Sequence, residues 1–171
     1  MPLLTAPDGT RIAYRDRSGP GIPVLLLHGL AGHLGEWDDL AARLVSAGHR
    51  VVAYDARGHG ASTRRPASVS RAAHVGDAVA VEAALDLGPA VVVGQSMGGS
   101  TAMLLAAGRP ELVRSLVLVE AGPAGPRACP ADHAGVAGLG TPVCGVVVGC
   151  RLPHARTTSR GGTPIASPPS S

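Results

Sequence analysis

Residues 90–108 read AVVVGQSMGGSTAMLLAAG, and this stretch decides the fold class. The run Val91–Val93 is short and wholly apolar, as expected of a strand that is buried on both faces. The pattern from Met97 to Ala107 predicts a helix that stops at Gly108. Between the two lies Gly94-Gln95-Ser96-Met97-Gly98, which is G-x-S-x-G in the context strand, sharp turn, helix. That context predicts a serine held above the carboxyl end of a sheet.

Ser96 is the candidate nucleophile of this turn. Gly94 and Gly98 leave room for a strained backbone, and the helix N-terminus favours negative charge developing beside the serine. A phosphate-binding loop of the Walker type is excluded, because it needs Gly-Lys-Ser/Thr and the chain has no Lys. A dinucleotide fingerprint is excluded as well, because Gly94, Gly98 and Gly99 do not fit G-x-G-x-x-G.

The first 126 residues alternate strands with helices. This order predicts an α/β fold in which a mostly parallel sheet is joined by right-handed crossovers. A β-hairpin with an Asp-Gly turn is predicted at the start of the chain. The helix near residue 75 is expected to place Val75, Val79 and Ala83 on one face. The predicted elements are the hairpin strands Leu3–Thr5 and Arg11–Tyr14, the strands Val24–Leu27, Val51–Ala53, Val91–Val93 and Leu116–Val119, and helices over Trp37–Val45, about Arg71–Leu87, and Met97–Ala107.

Two loops are predicted to lie near the candidate nucleophile. His28-Gly29-Leu30 follows the apolar run Val24–Leu27, where the chain must turn close to Ser96. Acyl transfer needs two backbone N–H groups aimed at the oxyanion, and Met97 and Leu30 are the candidates. His28 is interpreted as a brace of this loop and not as a base, from the chain order of triads. The polar loop Asp55–Gly60 is interpreted as braced by an Asp–Arg pair.

Four segments together resemble one family. LLLHGL at 25–30, the Asp55–Gly60 loop, GQSMGG at 94–99 and LVLVEAGP at 116–123 are similar to the α/β-hydrolase fold family, in its lid-bearing ester-hydrolase branch. The resemblance implies a three-layer sandwich, Ser96 as nucleophile, a backbone oxyanion hole at Leu30 and Met97, and no cofactor or metal. A serine at the elbow argues against the dehalogenase and epoxide hydrolase members. Hydrolysis of a small ester, thioester or lactone remains open, as does cofactor-free peroxidase chemistry.

The resemblance also implies an acid and a histidine that follow the serine in the chain. Residues 127–171 are too short for the lid, the remaining strands and the histidine loop. Glu120 is interpreted as an ordinary strand-end carboxylate, and Asp132 has no strand before it. His154 is the one histidine that could substitute as base, and His133 is a weaker candidate.

The composition changes after residue 126. Residues 127–171 hold all three Cys and six of the fifteen Pro, and Val143–Val148 is the only apolar run that suggests a further strand. We therefore expect residues 1–126 to be the N-terminal part of a hydrolase domain, and residues 127–171 to be an atypical, poorly ordered tail. Three interpretations remain open: a truncated or frameshifted, inactive hydrolase; an active enzyme with His154 as base; and a non-catalytic protein that binds a small ligand.

Charge and hydropathy exclude several classes of protein. Residues 1–126 carry 11 Arg and 11 acidic residues, and the net charge of +3 comes from the tail. No arginine cluster is interleaved with aromatics, so nucleic-acid binding is not expected. No run approaches 18 apolar residues and no secretory leader pattern begins the chain, so a cytoplasmic protein without a membrane span is expected. The Cys and His spacings match no zinc pattern.

Overall fold

The computed structural model describes residues 1–121 and the two-residue strand Cys150–Arg151. Its strands form one sheet in the order β1-β2-β4-β3-β5-β6-β7. The central strands β4, β3, β5 and β6 run parallel to one another, whereas β1, β2 and β7 pair antiparallel. The strands are β1 Leu3–Thr5, β2 Arg11–Arg17, β3 Pro23–Leu27, β4 Arg50–Tyr54, β5 Ala90–Gln95, β6 Val113–Val119 and β7 Cys150–Arg151.

Helices cover both faces of the sheet. Helix α1 spans Asp38–Ser46, α2 spans Arg71–Leu85 and α3 spans Met97–Gly108, with short 3-10 helices at Leu34–Trp37 and Pro110–Leu112. Alternate residues of each strand face opposite layers. Residues such as Leu25 and Leu27 pack with Ala78 of α2 and Leu105 of α3. Val24 and Leu26 pack on the other face with Trp37 and Ala41. The result is the α/β three-layer sandwich that the sequence predicts.

The predicted hairpin and the four predicted apolar strands are confirmed. Leu4 of β1 pairs with Ile12 of β2, and Gly9 in the connecting turn has φ of 83°, a left-handed conformation that favours glycine. The predicted strand at Val143–Val148 and the nature of residues 127–171 lie outside the described residues, apart from β7. Within the described part, none of the helices has the length and apolar character that a membrane crossing requires.

The expected face of α2 is confirmed only in part. The helix ends at Leu85 and is closed by Asp86 in a left-handed conformation, earlier than the expected end near Leu87. Val75 and Val79 are partly buried and pack against the core, whereas Ala83 is exposed. The fully buried residues of the helix are His74, Asp77, Ala78, Val81 and Glu82. The apolar pattern does not show that this helix also buries polar side chains.

Candidate active site

Ser96 occupies a strained turn between β5 and α3. Its backbone has φ of 47° and ψ of −107°, in the range of φ that residues with a side chain rarely adopt. The N–H of Ser96 donates to the carbonyl of Val119 at 3.0 Å, which ties the turn to the end of β6. The side chain is exposed and makes no capping hydrogen bond to α3. Its hydroxyl is therefore presented to solvent at the carboxyl end of the sheet.

The glycines around Ser96 allow close backbone contacts. A Cβ on Gly94 would lie 2.5 Å from the carbonyl oxygen of Gly98, and a Cβ on Gly98 would lie 2.3 Å from that of Leu27. A Cβ on Gly99 would lie 2.2 Å from the Cβ of Ala121. Each distance is too short for a side chain. These glycines allow α3 to begin against the ends of β3 and β6.

The loop after β3 passes directly beside the elbow. A Cβ on Gly29 would lie 3.5 Å from the Cβ of Ser96 and 3.6 Å from the carbonyl oxygen of Gln95. The carbonyl of Gly29 accepts from the N–H of Gly32 at 3.1 Å, so the chain turns at Leu30, whose side chain is 75% exposed. The structure thus brings the loop that carries the Leu30 N–H next to Ser96.

Met97 supplies the other candidate N–H of the oxyanion hole. It is the first residue of α3, and the N–H groups of a helix's first turn have no partner inside the helix. The positive end of the helix dipole lies at the same place. A developing oxyanion beside Ser96 would therefore meet both an N–H donor and a favourable field.

His28 is buried and holds the loop through both ring nitrogens. Its Nε2 accepts from the N–H of Ala56 at 2.9 Å, so its Nδ1 carries the proton and donates to the carbonyl of Gly29 at 2.8 Å. Burial lowers the pKa of His28, which favours the neutral ring. With both nitrogens engaged by backbone, this imidazole braces the loop, in line with its interpretation from the sequence.

The loop after β4 is braced by different contacts from those expected. The Asp55 carboxylate accepts from the N–H groups of Leu34 and Ala61, both at 2.7 Å. Arg57 pairs with Asp77 of α2 and with Asp8 of the β1–β2 turn. The prediction that an Asp–Arg pair braces the loop from within is therefore wrong. Both partners of Arg57 are distant in sequence, and only the fold brings them together.

A small cavity lies on the buried side of the elbow. Its lining includes His28, Tyr54, His74, Met97 and Thr101. Ser96 does not line this cavity. Its lining includes Met97 and Gly98, the two residues that follow Ser96, so the cavity lies next to the turn.

Comparison with known proteins agrees with this geometry. A family profile described as the alpha/beta hydrolase fold matches residues 22–134, which are more than half of the chain. The chain belongs to the α/β-hydrolase fold family. The matched segment contains β3, the loop that carries Leu30, the turn at Ser96 and β6.

Three relatives illustrate the range of this family. A non-heme chloroperoxidase from Streptomyces lividans is 39% identical over 126 residues, which cover 72% of this chain and 45% of that protein. The sn-1-specific diacylglycerol lipase ABHD11 from Mus musculus is 42% identical over 113 residues, covering 66% of this chain and 36% of the lipase. The solved esterase EaEST from Exiguobacterium antarcticum is 31% identical with a TM-score of 0.64, covering 68% of this chain and 44% of that one. This α/β-hydrolase chain spans less than half the length of each.

Glu120 is the described carboxylate that stands next to the elbow. It follows β6, is exposed, and has a positive φ of 51°. Its Oε2 accepts from Nε2 of Gln95 at 3.4 Å, which is a long hydrogen bond. The partner of Glu120 among residues 1–121 is therefore an amide, and Glu120 stays interpreted as a strand-end carboxylate.

The remaining candidates for the acid and the base lie outside the described residues. They are Asp132, His133 and His154. Cys129 and Cys144 also lie outside the described residues. Within the described part of the chain, no group of three or more His, Cys, Asp or Glu could hold a metal ion.

Sequence reasoning missed two buried acids, Asp77 and Glu82. Asp77 pairs with Arg57, whereas both carboxyl oxygens of Glu82 lack a hydrogen-bond partner among the described residues. A signal was present, because Asp77 lies four residues before the buried Val81 and Glu82 lies four residues after the buried Ala78. An acid at such spacing on a helix shares the helix's buried side.

Proposed function

We propose that this chain carries the nucleophile and the oxyanion hole of a hydrolase that cleaves carboxylic esters of small molecules. Ser96 is the nucleophile, and the N–H groups of Leu30 and Met97 bind the oxyanion. The observation that carries the proposal is the backbone of Ser96, which is held at φ of 47° with an exposed side chain. Strain of this kind persists where the surrounding structure imposes it, and it is concentrated at functional sites.

The proposed chemistry follows from the neighbours of Ser96. Its Oγ attacks the acyl carbon of the ester, and the carbonyl oxygen gains a negative charge that the two N–H groups stabilise. The bond to the alcohol then breaks, which leaves an acyl group on Ser96 for water to remove. A base must take the hydroxyl proton, and His28 cannot serve because both its nitrogens bind backbone groups. In the chain order of the family the acid and the base follow the serine, and His154 is the first candidate base.

The relatives support an ester substrate class and no finer choice. They include a lipase and an esterase by their names, and a chloroperoxidase as well. Because triad members act as a unit, a chain without its base and acid would keep a nucleophile and lose most of its turnover. The experiment must therefore measure serine reactivity and ester turnover separately.

The test is labelling by a fluorophosphonate probe, followed by peptide mass spectrometry, alongside hydrolysis of p-nitrophenyl acetate and butyrate. We expect a label on Ser96 in the wild-type chain and none at this position in Ser96→Ala. Ser46→Ala, which removes an exposed hydroxyl from the end of α1, is the matched control and should label like wild type. Equal labelling of wild type and Ser96→Ala would overturn the proposal. His154→Ala then shows whether that histidine contributes to turnover.

A second candidate function is binding of a small ester-like ligand without catalysis. It is favoured by one observation, that the histidine nearest the elbow loop is fully engaged by backbone. This alternative predicts saturable binding of p-nitrophenyl butyrate, measured by competition with a fluorescent ester analogue, without nitrophenol release or labelling of Ser96. Labelling of Ser96 would exclude it.

A further inference from the structure

The loop that carries Leu30 is tied at both ends to the loop that follows β4. At its start, Nε2 of His28 accepts from the N–H of Ala56 at 2.9 Å. At its end, the N–H of Leu34 donates to Oδ1 of Asp55 at 2.7 Å. Leu30 lies between these two ties. Its position relative to Ser96 therefore depends on two neighbouring residues, Asp55 and Ala56, at the end of β4.

Asp55 is built into this arrangement and is not a surface acid. Its side chain is buried, with the residue 2% exposed, and its second oxygen, Oδ2, accepts from the N–H of Ala61 at 2.7 Å. Gly60 approaches so closely that a Cβ there would lie 2.0 Å from Oδ2. Each carboxylate oxygen thus binds one backbone N–H, one from the oxyanion loop and one from its own loop.

The loop after β4 is itself anchored to the body of the sheet. The N–H of Asp55 donates to the carbonyl of Ala13 on β2 at 2.8 Å. The hydroxyl of Ser62 donates to the carbonyl of Asp55 at 2.6 Å and accepts from the N–H of Ala13 at 2.9 Å. Arg57, paired with Asp77, ties the same loop to α2. The chain of contacts therefore runs from β2 and α2 through Asp55 to the oxyanion loop.

We propose that Asp55 is a positioning residue for the oxyanion hole: its carboxylate holds the 28–34 loop so that the Leu30 N–H faces the acyl oxygen on Ser96. His28 is the second tie of the same loop. The inference rests on the proposed function, because it assigns Asp55 a part in oxyanion binding. Position 55 needs a carboxylate, since both side-chain oxygens must accept from N–H groups. An amide offers one acceptor and directs its NH2 at the other donor.

Asp55→Asn is the decisive variant, because it keeps the size of the side chain and removes one acceptor. We expect the rate constant for fluorophosphonate labelling of Ser96 to fall about tenfold or more after correction for the folded fraction. Asp16→Asn is the matched control, since Asp16 pairs with Arg50 on the β2–β4 side of the sheet. The control should label at the wild-type rate. Equal labelling of Asp55→Asn and wild type would overturn the inference.

A substitution series at His28 separates positioning from a general structural role. His28→Gln can still present an acceptor to the Ala56 N–H, whereas His28→Leu cannot. We expect labelling in His28→Gln to be restored above that of His28→Leu at equal folded fraction. Identical rates in the two variants would contradict the second tie.

Amide hydrogen exchange tests the same inference without any catalysis. In Asp55→Asn, peptides that cover residues 29–34 should exchange faster than in wild type, while peptides from α3 should not change. If wild-type Ser96 is not labelled, the proposed function fails and exchange alone decides whether Asp55 holds the loop. Unchanged exchange at residues 29–34 would then overturn the inference.

Discussion

Arg57 and Asp77 form a two-point ion pair inside the protein. Nε and Nη2 of Arg57 donate to the two carboxylate oxygens of Asp77 at 2.7 and 2.6 Å, and the side chains are 2% and 0% exposed. This pair raises the pKa of the guanidinium further above its already high value. The ion pair connects α2 to the loop that carries Asp55. It therefore stabilises the support of the 28–34 loop as well as the fold.

Removing one partner of this pair should be strongly destabilising. In Asp77→Asn the guanidinium loses its buried counter-charge and keeps only the half-exposed Asp8, so we expect the free energy of unfolding to fall by about 3–5 kcal/mol. The measurement is urea unfolding followed by circular dichroism. Asp8→Asn is the matched control, because Asp8 binds the same arginine from a side chain that is 46% exposed. A loss in Asp8→Asn as large as that in Asp77→Asn would contradict this assignment.

The elbow glycines can be tested against a glycine in open space. A Cβ on Gly98 would meet the carbonyl oxygens of Leu27 and His28 at 2.3 and 2.6 Å, and these backbone atoms cannot move without displacing β3. We expect Gly98→Ala to lower the free energy of unfolding by about 3 kcal/mol or more. Gly76 lies within α2 with nothing within 4 Å of such a Cβ. Gly76→Ala should therefore raise the free energy of unfolding, by about 0.5–1 kcal/mol.

The two glycine variants need only thermal or urea unfolding curves. The diagnostic result is a change in the free energy of unfolding of opposite sign in the two variants. Both variants add one methyl group, and both helices pack against the same face of the sheet. Destabilisation of similar size in both variants would show that the close backbone contact at Gly98 is not the cause of the destabilisation in Gly98→Ala.

The sequence predicts most elements because their signals are local. The apolar runs that become β3, β4, β5 and β6 need no knowledge of the rest of the chain, and neither does the turn at Ser96. What could not be predicted depends on pairs distant in sequence. The buried acid of α2 was missed because Asp77 is buried only where Arg57, 20 residues earlier, reaches it.

The candidate site divides in the same way. Ser96, Met97 and Leu30 were placed by motifs of a few residues each. The role of Asp55 was missed, because its partner Leu34 lies 21 residues away and donates a backbone N–H. A backbone donor leaves no mark on residue type, so no sequence pattern identifies it.

The strain at Ser96 predicts an unusual order of stability among its variants. Glycine adopts a φ of 47° without the steric conflict that a Cβ creates, and such conflicts cost about 1–3 kcal/mol. Ser96→Gly should therefore be more stable than Ser96→Ala by about 1 kcal/mol, since the entropy cost of glycine offsets part of the gain. Melting temperatures of the two variants check this. At Ser46, at the end of α1, the order should reverse, with alanine more stable than glycine.

Buried Glu82 predicts a dependence of stability on pH. Burial without a hydrogen-bond partner raises the pKa of Glu82 to about 8, with Arg109 opposing and Glu111 adding to the shift. The folded protein then keeps the proton up to about pH 8, whereas the unfolded chain releases it near the ordinary value of 4.5. Between these pH values the folded state binds more protons, so this residue lowers stability progressively as pH rises. Glu82→Gln removes that loss, since its side chain stays neutral at every pH.

The measurement is the free energy of unfolding of wild type and Glu82→Gln at intervals from pH 5 to 8.5. The variant should gain relative to wild type as pH rises, by on the order of a few kcal/mol at pH 8, and the difference should level off above that. Asp39→Asn, at an exposed position of α1, is the control, and its free energy of unfolding should change with pH as that of wild type does. If the curve for Glu82→Gln also runs parallel to wild type, Glu82 ionises in the folded protein as it does in the unfolded chain. Its carboxyl group would then have to be reached by water or by a cation, and the burial of this face of α2 would be incomplete.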